Sequence, residues 1–137
     1  MSIYSVNSAS VEVPKFISPK AHGVIDYCHA AFFFTVGVLC RRSNKRAAAA
    51  AFTTGGFILV QSMLTDYRFG VKPVIPFRTH GEMDRVFAAT SWLIPVLFGF
   101  KDTKVAKIFE TNSLAESSVV AATDWSSERA HAEARAA

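Results

Sequence analysis

Two short stretches of the sequence each place a histidine and an aspartate four residues apart. AHGVIDY contains His22 and Asp26, and THGEMDR contains His80 and Asp84. Residues at positions i and i+4 of a helix lie on one face, so each pair would present an imidazole beside a carboxylate. These groups can bind a divalent metal ion or pair with one another. Both stretches border apolar segments, where an unpartnered ionisable group is costly, so we expect all four side chains to have partners.

Other polar residues extend this candidate site. His29 lies three residues after Asp26 on the same predicted helical stripe, and Thr-Asp pairs close two other segments. The predicted polar cluster, with a structural or ligand-binding role, comprises His22, Asp26, Thr65, Asp66, His80, Asp84, Thr123 and Asp124. A metal ion would be held by His22, Asp26, His29 and His80, and paired axial histidines would also suit haem.

The simplest role for this cluster is structural. Its side chains would form cross-helix hydrogen bonds that lock the fold, and a Thr-Asp pair is also an ordinary turn element. We favour this role, with no resident cofactor, over metal or haem binding and over a proton or solute pathway. The sequence contains no nucleophile elbow, phosphate loop or dinucleotide fingerprint, so enzymatic activity is not expected.

The apolar segments that would position these residues are long enough to cross a membrane. Half of the 137 residues are hydrophobic, and most of them lie between the polar ends of the chain. Residues 21–40 contain one acid and no Lys or Arg, and residues 47–64 contain no charge. At helical rise each segment spans a hydrocarbon core of about 30 Å. The sequence therefore predicts an integral membrane protein with the lipid bilayer as a partner.

Two later segments are weaker candidates for membrane-spanning helices. Residues 86–100 are apolar but reach spanning length only with the polar turn that begins at Gly81, and they contain Pro95. Residues 104–125 include the charged residues Lys107, Glu110 and Glu116, so hydropathy alone predicts an amphipathic helix that lies at the interface or against the bundle. Tyr67, Phe69 and Phe77 flank a loop with glycine and prolines, where they could act as interfacial anchors.

A shift of 58 residues aligns the two halves of the chain without a gap. It matches His22, Gly23 and Asp26 with the equivalent HG-x-x-D residues from His80, and it matches TDY at 65–67 with TDW at 123–125. We interpret this match as a duplication of a two-helix unit, which makes residues 104–125 a helix. The predicted fold is all-α, an integral membrane four-helix bundle of two tandem helical-hairpin repeats in parallel orientation. Its segments are a polar N-terminal segment 1–20, hairpin repeat 1 at 21–67, a surface loop 68–79, hairpin repeat 2 at 80–125, and a polar tail 126–137 that forms a frayed helix or is disordered.

This topology gathers the polar elements at one membrane face, because HG-x-x-D begins helices one and three and TD ends helices two and four. Basic residues cluster at 41–46 and 101–107. The positive-inside rule places these loops in the cytoplasm and both termini outside it. The phenylalanine run 32–34 covers three sides of its helix, so we expect at least one ring to face lipid or another subunit, either of a membrane complex or of a homo-oligomer. The basic residues form no face interleaved with aromatics, so we expect no nucleic acid partner.

The segment from Leu64 to Phe100 resembles the SPW-repeat proteins, which are small bacterial membrane proteins. In that family a loop of the kind TDY...G...R.IP leads into H..LD and a helix that ends near SPW(L/I).GF. The matching residues are Thr65, Asp66, Tyr67, Gly70, Ile75, Pro76, His80, Asp84, Gly99 and Phe100. The SPW tripeptide is replaced by Thr90-Ser91-Trp92 with a displaced Pro95, and the first repeat keeps only His22, Gly23 and Asp26.

The resemblance implies a four-helix protein of two hairpin repeats in a bacterial inner membrane, and it implies no reaction or ligand. We therefore expect a small integral membrane protein with a structural or accessory-subunit role. The alternative is a membrane module that binds a metal ion, haem, protons or a solute through its His/Asp cluster.

Overall fold

The computed structural model describes residues 13–136, so residues 1–12 of the predicted N-terminal segment and residue 137 lie outside the described part. The described chain is mostly helical, which confirms the all-α class. Its elements are α1 (Pro19–Cys40), α2 (Lys45–Leu64), β1 (Thr65–Asp66), β2 (Ile75–Pro76), α3 (Phe77–Thr90), a 3-10 turn (Ser91–Leu93), α4 (Ile94–Leu97), α5 (Ala106–Ala122) and α6 (Ser127–Arg135).

Helices α1 and α2 pack closely against each other. Ser18 caps α1 by accepting from the amide of Ala21, and Asn44 caps α2 in the same way. The facing surface of α2 is built from small residues, including the fully buried Ala47 and Ala51. A Cβ added at Gly55 would lie 3.1 Å from the carbonyl oxygen of Ala30. Small residues therefore permit the close approach of the two backbones, as the small-xxx-small spacing predicts.

The third apolar segment is not one continuous helix, contrary to the predicted span. Helix α3 ends at Thr90 and is followed by the 3-10 turn and the short α4. Pro95 has no amide hydrogen to donate to Ser91, and its ring would clash with that carbonyl, so the regular helix is interrupted here. Gly99, with φ of 73°, then ends α4, and the amide of Phe100 donates to the carbonyl of Pro95.

The C-terminal tail forms a capped and docked helix, so it is neither disordered nor frayed over Ser127–Arg135. Ser126 caps α6 by accepting from the amide of Arg129 at 3.2 Å. The amide of Lys20, at the start of α1, donates to the Glu133 carboxylate at 2.6 Å. Ala130 is fully buried against aromatic side chains. Helix α6 therefore covers one end of the molecule, where α1 and α3 begin.

Two parallel bridges join the starts of helices to the ends of others. The strand before α3 pairs with the strand after α2, with Ile75 opposite Thr65. The residue Ile17, before α1, pairs with Thr123, after α5. The amide of Ile17 donates to Ala122, and the amide of Asp124 donates to Ile17. These bridges bring the N-terminal ends of α1 and α3 to the same place as the C-terminal ends of α2 and α5.

Candidate functional site

Four buried side chains from α1 and α3 converge at this end of the molecule. They are His22, Asp26, His80 and Asp84, and we call them the tetrad. Their relative exposures are 0 % and 1 % for the histidines and 6 % for each aspartate. One candidate ligand atom from each of the four lies within 4.8 Å of the others. The two i, i+4 pairs therefore form one site rather than two.

A threonine orients each imidazole. The Thr123 hydroxyl donates to the Val119 carbonyl at 2.7 Å and lies 3.0 Å from Nδ1 of His22. The Thr65 hydroxyl likewise donates to Gln61 and lies 2.6 Å from Nδ1 of His80. Because each hydroxyl hydrogen is already used, the threonine oxygen must accept, and Nδ1 must carry the hydrogen. The Nε2 atom of each ring consequently faces the aspartates.

The Nε2 atoms lie close to carboxylate oxygens. His22 Nε2 is 3.2 Å from Asp26 Oδ1 and 3.1 Å from Asp84 Oδ2. His80 Nε2 is 3.1 Å from Asp84 Oδ2 and 3.4 Å from Asp26 Oδ2. His80 Nε2 nevertheless makes no hydrogen bond with any of the described residues. A neutral ring with Nδ1–H presents a lone pair at Nε2, which repels a carboxylate unless a cation lies between them.

The distances between the imidazole nitrogens and the carboxylate oxygens bear on two arrangements, a bound metal ion and direct hydrogen bonds. For metal bonds of about 2.0–2.1 Å, the edges of a coordination tetrahedron are about 3.3–3.4 Å. Asp84 Oδ2 lies 3.1 Å from both Nε2 atoms, whereas Asp26 faces His22 with Oδ1 at 3.2 Å and His80 with Oδ2 at 3.4 Å. The same distances would also suit hydrogen bonds if each ring carried a second proton. His22 Nε2 is hydrogen-bonded to Asp84 Oδ2 at 3.1 Å, whereas His80 Nε2 makes no hydrogen bond with the described residues and is the nitrogen that could bind a metal ion.

Two further side chains hold the carboxylates. The Gln61 amide donates to Asp84 Oδ1 at 2.6 Å, which leaves Oδ2 facing the histidines. The Tyr67 hydroxyl donates to Asp26 Oδ2 at 3.4 Å. Burial raises the pKa of Tyr67, and the charge of Asp26 adds to the rise, so this hydroxyl keeps its proton. Such supporting contacts are typical of groups that orient metal ligands.

Aromatic rings cover the tetrad on the side of α6. The Trp125 ring contacts His22 edge to face at 4.6 Å between centroids, and Tyr67 stacks with Phe77 at 5.8 Å. A Cβ at Gly23 would lie 2.5 Å from the Tyr67 ring, and one at Gly81 would lie 2.6 Å from the Trp125 ring. Tyr67 and Phe77 are buried, so the prediction that they anchor the protein at a membrane interface is wrong.

Two members of the predicted cluster lie outside this site. Asp66 pairs with His131 of α6 at 2.7 Å, and Asp124 pairs with Arg129 at 3.1 Å. Both pairs are partly exposed. The remaining predicted members, which are His22, Asp26, Thr65, His80, Asp84 and Thr123, are brought together. The sequence reasoning missed Gln61, although a lone amide in a charge-free apolar run is a usable signal.

His29 does not join the tetrad as a metal ligand, although the sequence suggested it. Its Nε2 lies 2.7 Å from Asn112 Oδ1, and its Nδ1 lies 3.2 Å from Glu116 Oε2. We call these three residues the His29 triad. A small cavity of about 10 Å³ lies between the tetrad and this triad, with Asp84 and Glu116 among its lining residues. The triad is therefore a separate polar group, which lies farther along α1 from the end that α6 covers.

Comparison of the chain with protein-family models, curated proteins and solved structures gives no significant match. The resemblance to SPW-repeat proteins therefore stays a prediction, and the function rests on the geometry of the tetrad.

Proposed function

We propose that this protein is a small integral membrane protein in which one divalent metal ion, held by the tetrad, pins two helical hairpins together. Hairpin 1 consists of α1 and α2, and hairpin 2 consists of α3 to α5. The observation that carries the proposal is the convergence of two histidines and two aspartates at N···O distances of 3.1–3.4 Å. This role unites the structural function and the metal-binding function that the sequence suggested as alternatives.

The exposed surface supports a membrane location. Helices α1 and α2 are each long and apolar enough to cross a bilayer. Large apolar side chains on several helices face outward, including Leu39, Leu97 and Leu114 with exposures of 75 %, 76 % and 72 %. A water-soluble protein rarely leaves so many large apolar side chains uncovered, whereas a lipid-facing surface requires them. The interrupted α3 and α4 would complete a four-helix bundle with α5.

The contacts of the site support the proposed duplication. The Thr65–His80 and Thr123–His22 contacts are related by a shift of 58 residues, and so are the bridges at Ile75 and Ile17. Gly23 faces Tyr67 and Gly81 faces Trp125 in the same relation. A duplicated hairpin would place two copies of HG-x-x-D around a pseudo-twofold axis, where they meet as one site.

The ligand set suits a first-row transition metal such as Zn²⁺. Imidazole and carboxylate are common zinc ligands, and sites with four protein ligands are usually structural. The bound ion would offset the charge of the two aspartates in a buried place. The chain's own residues then have defined roles: Thr65 and Thr123 fix the imidazole tautomers, and Gln61 orients one carboxylate.

Location, orientation and partners follow as further parts of the proposal. Because basic segments favour the cytoplasmic side, we expect the loops at 41–46 and 101–107 to lie in the cytoplasm of a bacterium and the tetrad to lie near the outer face of its inner membrane. The exposed apolar surface leaves room for lipid, for other subunits of a membrane complex or for a second copy of the chain. An accessory-subunit role would use this surface.

The test is to purify the protein in detergent and measure bound metal by mass spectrometry, then load it with Co²⁺ and record the visible spectrum. We expect about one ion per chain and Co²⁺ bands of a four-coordinate site. His80→Ala should lose both signals. His131→Ala is the matched control, because His131 also contacts an aspartate but lies outside the tetrad, and it should keep both.

A wild-type protein without bound metal, without Co²⁺ bands and with a melting temperature unaffected by a chelator would contradict the metal pin. The tetrad would then be a network of imidazolium and carboxylate groups with a purely structural role. Measurements on the wild-type protein alone therefore distinguish the metal pin from the purely structural network.

A further inference from the structure

The surface between α1 and α5 forms an apolar groove with a lysine at one end. Two adjoining cavities of about 370 Å³ and 440 Å³ share Phe32, Asn112 and Ala115 in their walls. Together they extend along α5 from Lys107 to Val119, which at helical rise is about 18 Å. The hydrocarbon core of a bilayer is about 30 Å thick, so a groove of this length can hold the chain of a lipid from one leaflet.

Lys107 lies at the end of the groove that is farthest from the tetrad. Its side chain is exposed, so the methylene stem can cover the apolar wall while the ammonium group reaches the headgroup region. The two carboxylates of α5 lie elsewhere. Glu110 is exposed and lies outside the wall, and Glu116 is buried beside His29, about 13 Å farther along the helix. A headgroup at this end of the groove would therefore meet the cation of the wall.

The equivalent groove between α2 and α3 has an acid in its wall instead of a lysine. Its cavity of about 470 Å³ is also mainly apolar, but the wall includes Glu82, which pairs with Arg85. A shift of 58 residues relates Lys107 to Ala49, and this wall contains no Lys or Arg among the described residues. The two grooves therefore resemble each other in size and apolar character, and they differ in charge.

We propose that the α1/α5 groove binds one chain of a phospholipid with a net negative headgroup, whose phosphate pairs with Lys107. The ammonium group complements the phosphate, and the apolar wall complements the acyl chain. Lys107 belongs to the basic segment 101–107, and such segments attract acidic lipids. A zwitterionic headgroup offers the same phosphate, but its own cation opposes the pairing. This inference rests on the proposed membrane location but not on the metal ion.

The test uses two photoreactive phospholipids in phosphatidylcholine vesicles that contain the full-length protein. Both probes have the same acyl chains with a mid-chain diazirine and an alkyne, and their headgroups are phosphatidylglycerol and phosphatidylcholine. After irradiation, mass spectrometry locates the adducts on the wall residues of each groove and gives the ratio of anionic to zwitterionic probe. We expect this ratio to be about fivefold higher at the α1/α5 groove, which is the effect of one lysine near a membrane surface.

Three variants test the role of the lysine. Lys107→Ala introduces the residue of the equivalent position and should lower the ratio at the α1/α5 groove about fivefold, whereas Lys107→Arg should keep it. Lys104→Ala is the matched control, because Lys104 is an exposed lysine of the same basic segment but lies outside the wall, and it should also keep the ratio. Labelling by the zwitterionic probe should be unchanged in every variant, which shows that the variant remains folded.

Equal ratios at the two grooves in the wild-type protein, or an undiminished ratio in Lys107→Ala, would overturn the lipid site. An equal fall in Lys104→Ala would also overturn it, because the attraction would then belong to the whole basic segment. If neither probe labelled either groove, the proposed membrane location would be wrong, and the lipid site with it. The metal content, which is measured separately, decides the metal pin and does not affect this inference.

Discussion

The tetrad and the His29 triad are neighbouring polar groups that differ in one respect. Every tetrad residue has its counterpart 58 positions away, and each counterpart makes the corresponding contact. The triad has apolar or weakly polar counterparts, which are Phe87, Thr54 and Ile58. Both groups bury ionisable side chains, so burial alone does not distinguish them.

This difference indicates two kinds of requirement. A group that both copies keep at their common axis belongs to what joins the hairpins, and removing any part of it should damage the fold. A polar group that occurs at only one of the two equivalent interfaces between the hairpins is not needed for the fold, and its removal should be tolerated. The comparison therefore predicts opposite responses to substitution in two places that the same small cavity separates.

The largest effect is expected for Asp26→Ala and Asp84→Ala. Either change removes a ligand and leaves buried partners uncompensated, which should lower the free energy of unfolding by about 3–5 kcal/mol and abolish metal binding. Thermal unfolding in detergent and metal analysis would measure both. The two variants should behave alike, and Glu110→Ala, which removes an exposed carboxylate of α5, should change little. If either variant kept its bound metal, that aspartate would not be a ligand, which would contradict the equivalence of Asp26 and Asp84.

A smaller loss is expected for Thr65→Val and Thr123→Val. Each leaves a buried imidazole N–H without its acceptor, at a cost of about 1–3 kcal/mol. Metal affinity should fall by about 10-fold to 100-fold, as for other residues that orient ligands. A Co²⁺ titration gives the affinity. Thr35→Val is the control, because Thr35 also donates to a helix carbonyl but is exposed and contacts no histidine.

Asp66→Ala and Asp124→Ala test where the site ends. Their pairs with His131 and Arg129 are partly exposed, so each variant should lose only about 0.2–1 kcal/mol of unfolding free energy. Metal content should remain that of the wild-type protein. A loss of bound metal in either variant would mean that the site extends beyond the tetrad to the surface.

The smallest loss is expected for the double variant His29→Phe with Glu116→Ile, which introduces the residues of the other copy. Replacing a buried polar pair with apolar side chains of similar size is often neutral or stabilising. The melting temperature should therefore stay the same or rise, with metal content unchanged. A fall as large as that of Asp84→Ala would show that the triad and the tetrad are one structural unit.

The sequence predicted α1 and α2 well because long apolar runs with at most one charge leave little choice of structure. Its internal repeat also predicted that His22, Asp26, His80 and Asp84 lie at one end of the helices. The i, i+4 spacing fixes each pair locally, and the match between the halves relates the two pairs.

The sequence could not predict which threonine contacts which histidine. Thr65 follows α2 but contacts His80 of α3 rather than His22 of α1, because strand pairing at Ile75 brings that helix start to it. Local periodicity contains no information about such pairing. The packing of α6 against the rest of the chain was not predicted, because its buried surface depends on Ala130, a small residue that gives little hydrophobic signal.

The exchange of threonines between hairpins has a consequence for assembly. A lone hairpin would hold a histidine without its acceptor and a threonine without its histidine, and two hairpins satisfy each other only as a pair. The arrangement is that of a twofold-symmetric dimer whose subunits have been joined by the exposed segment at residues 71–74. If the chain were cut there, the two hairpins would have to associate as separate molecules, and we expect two separately synthesised halves to form a complex.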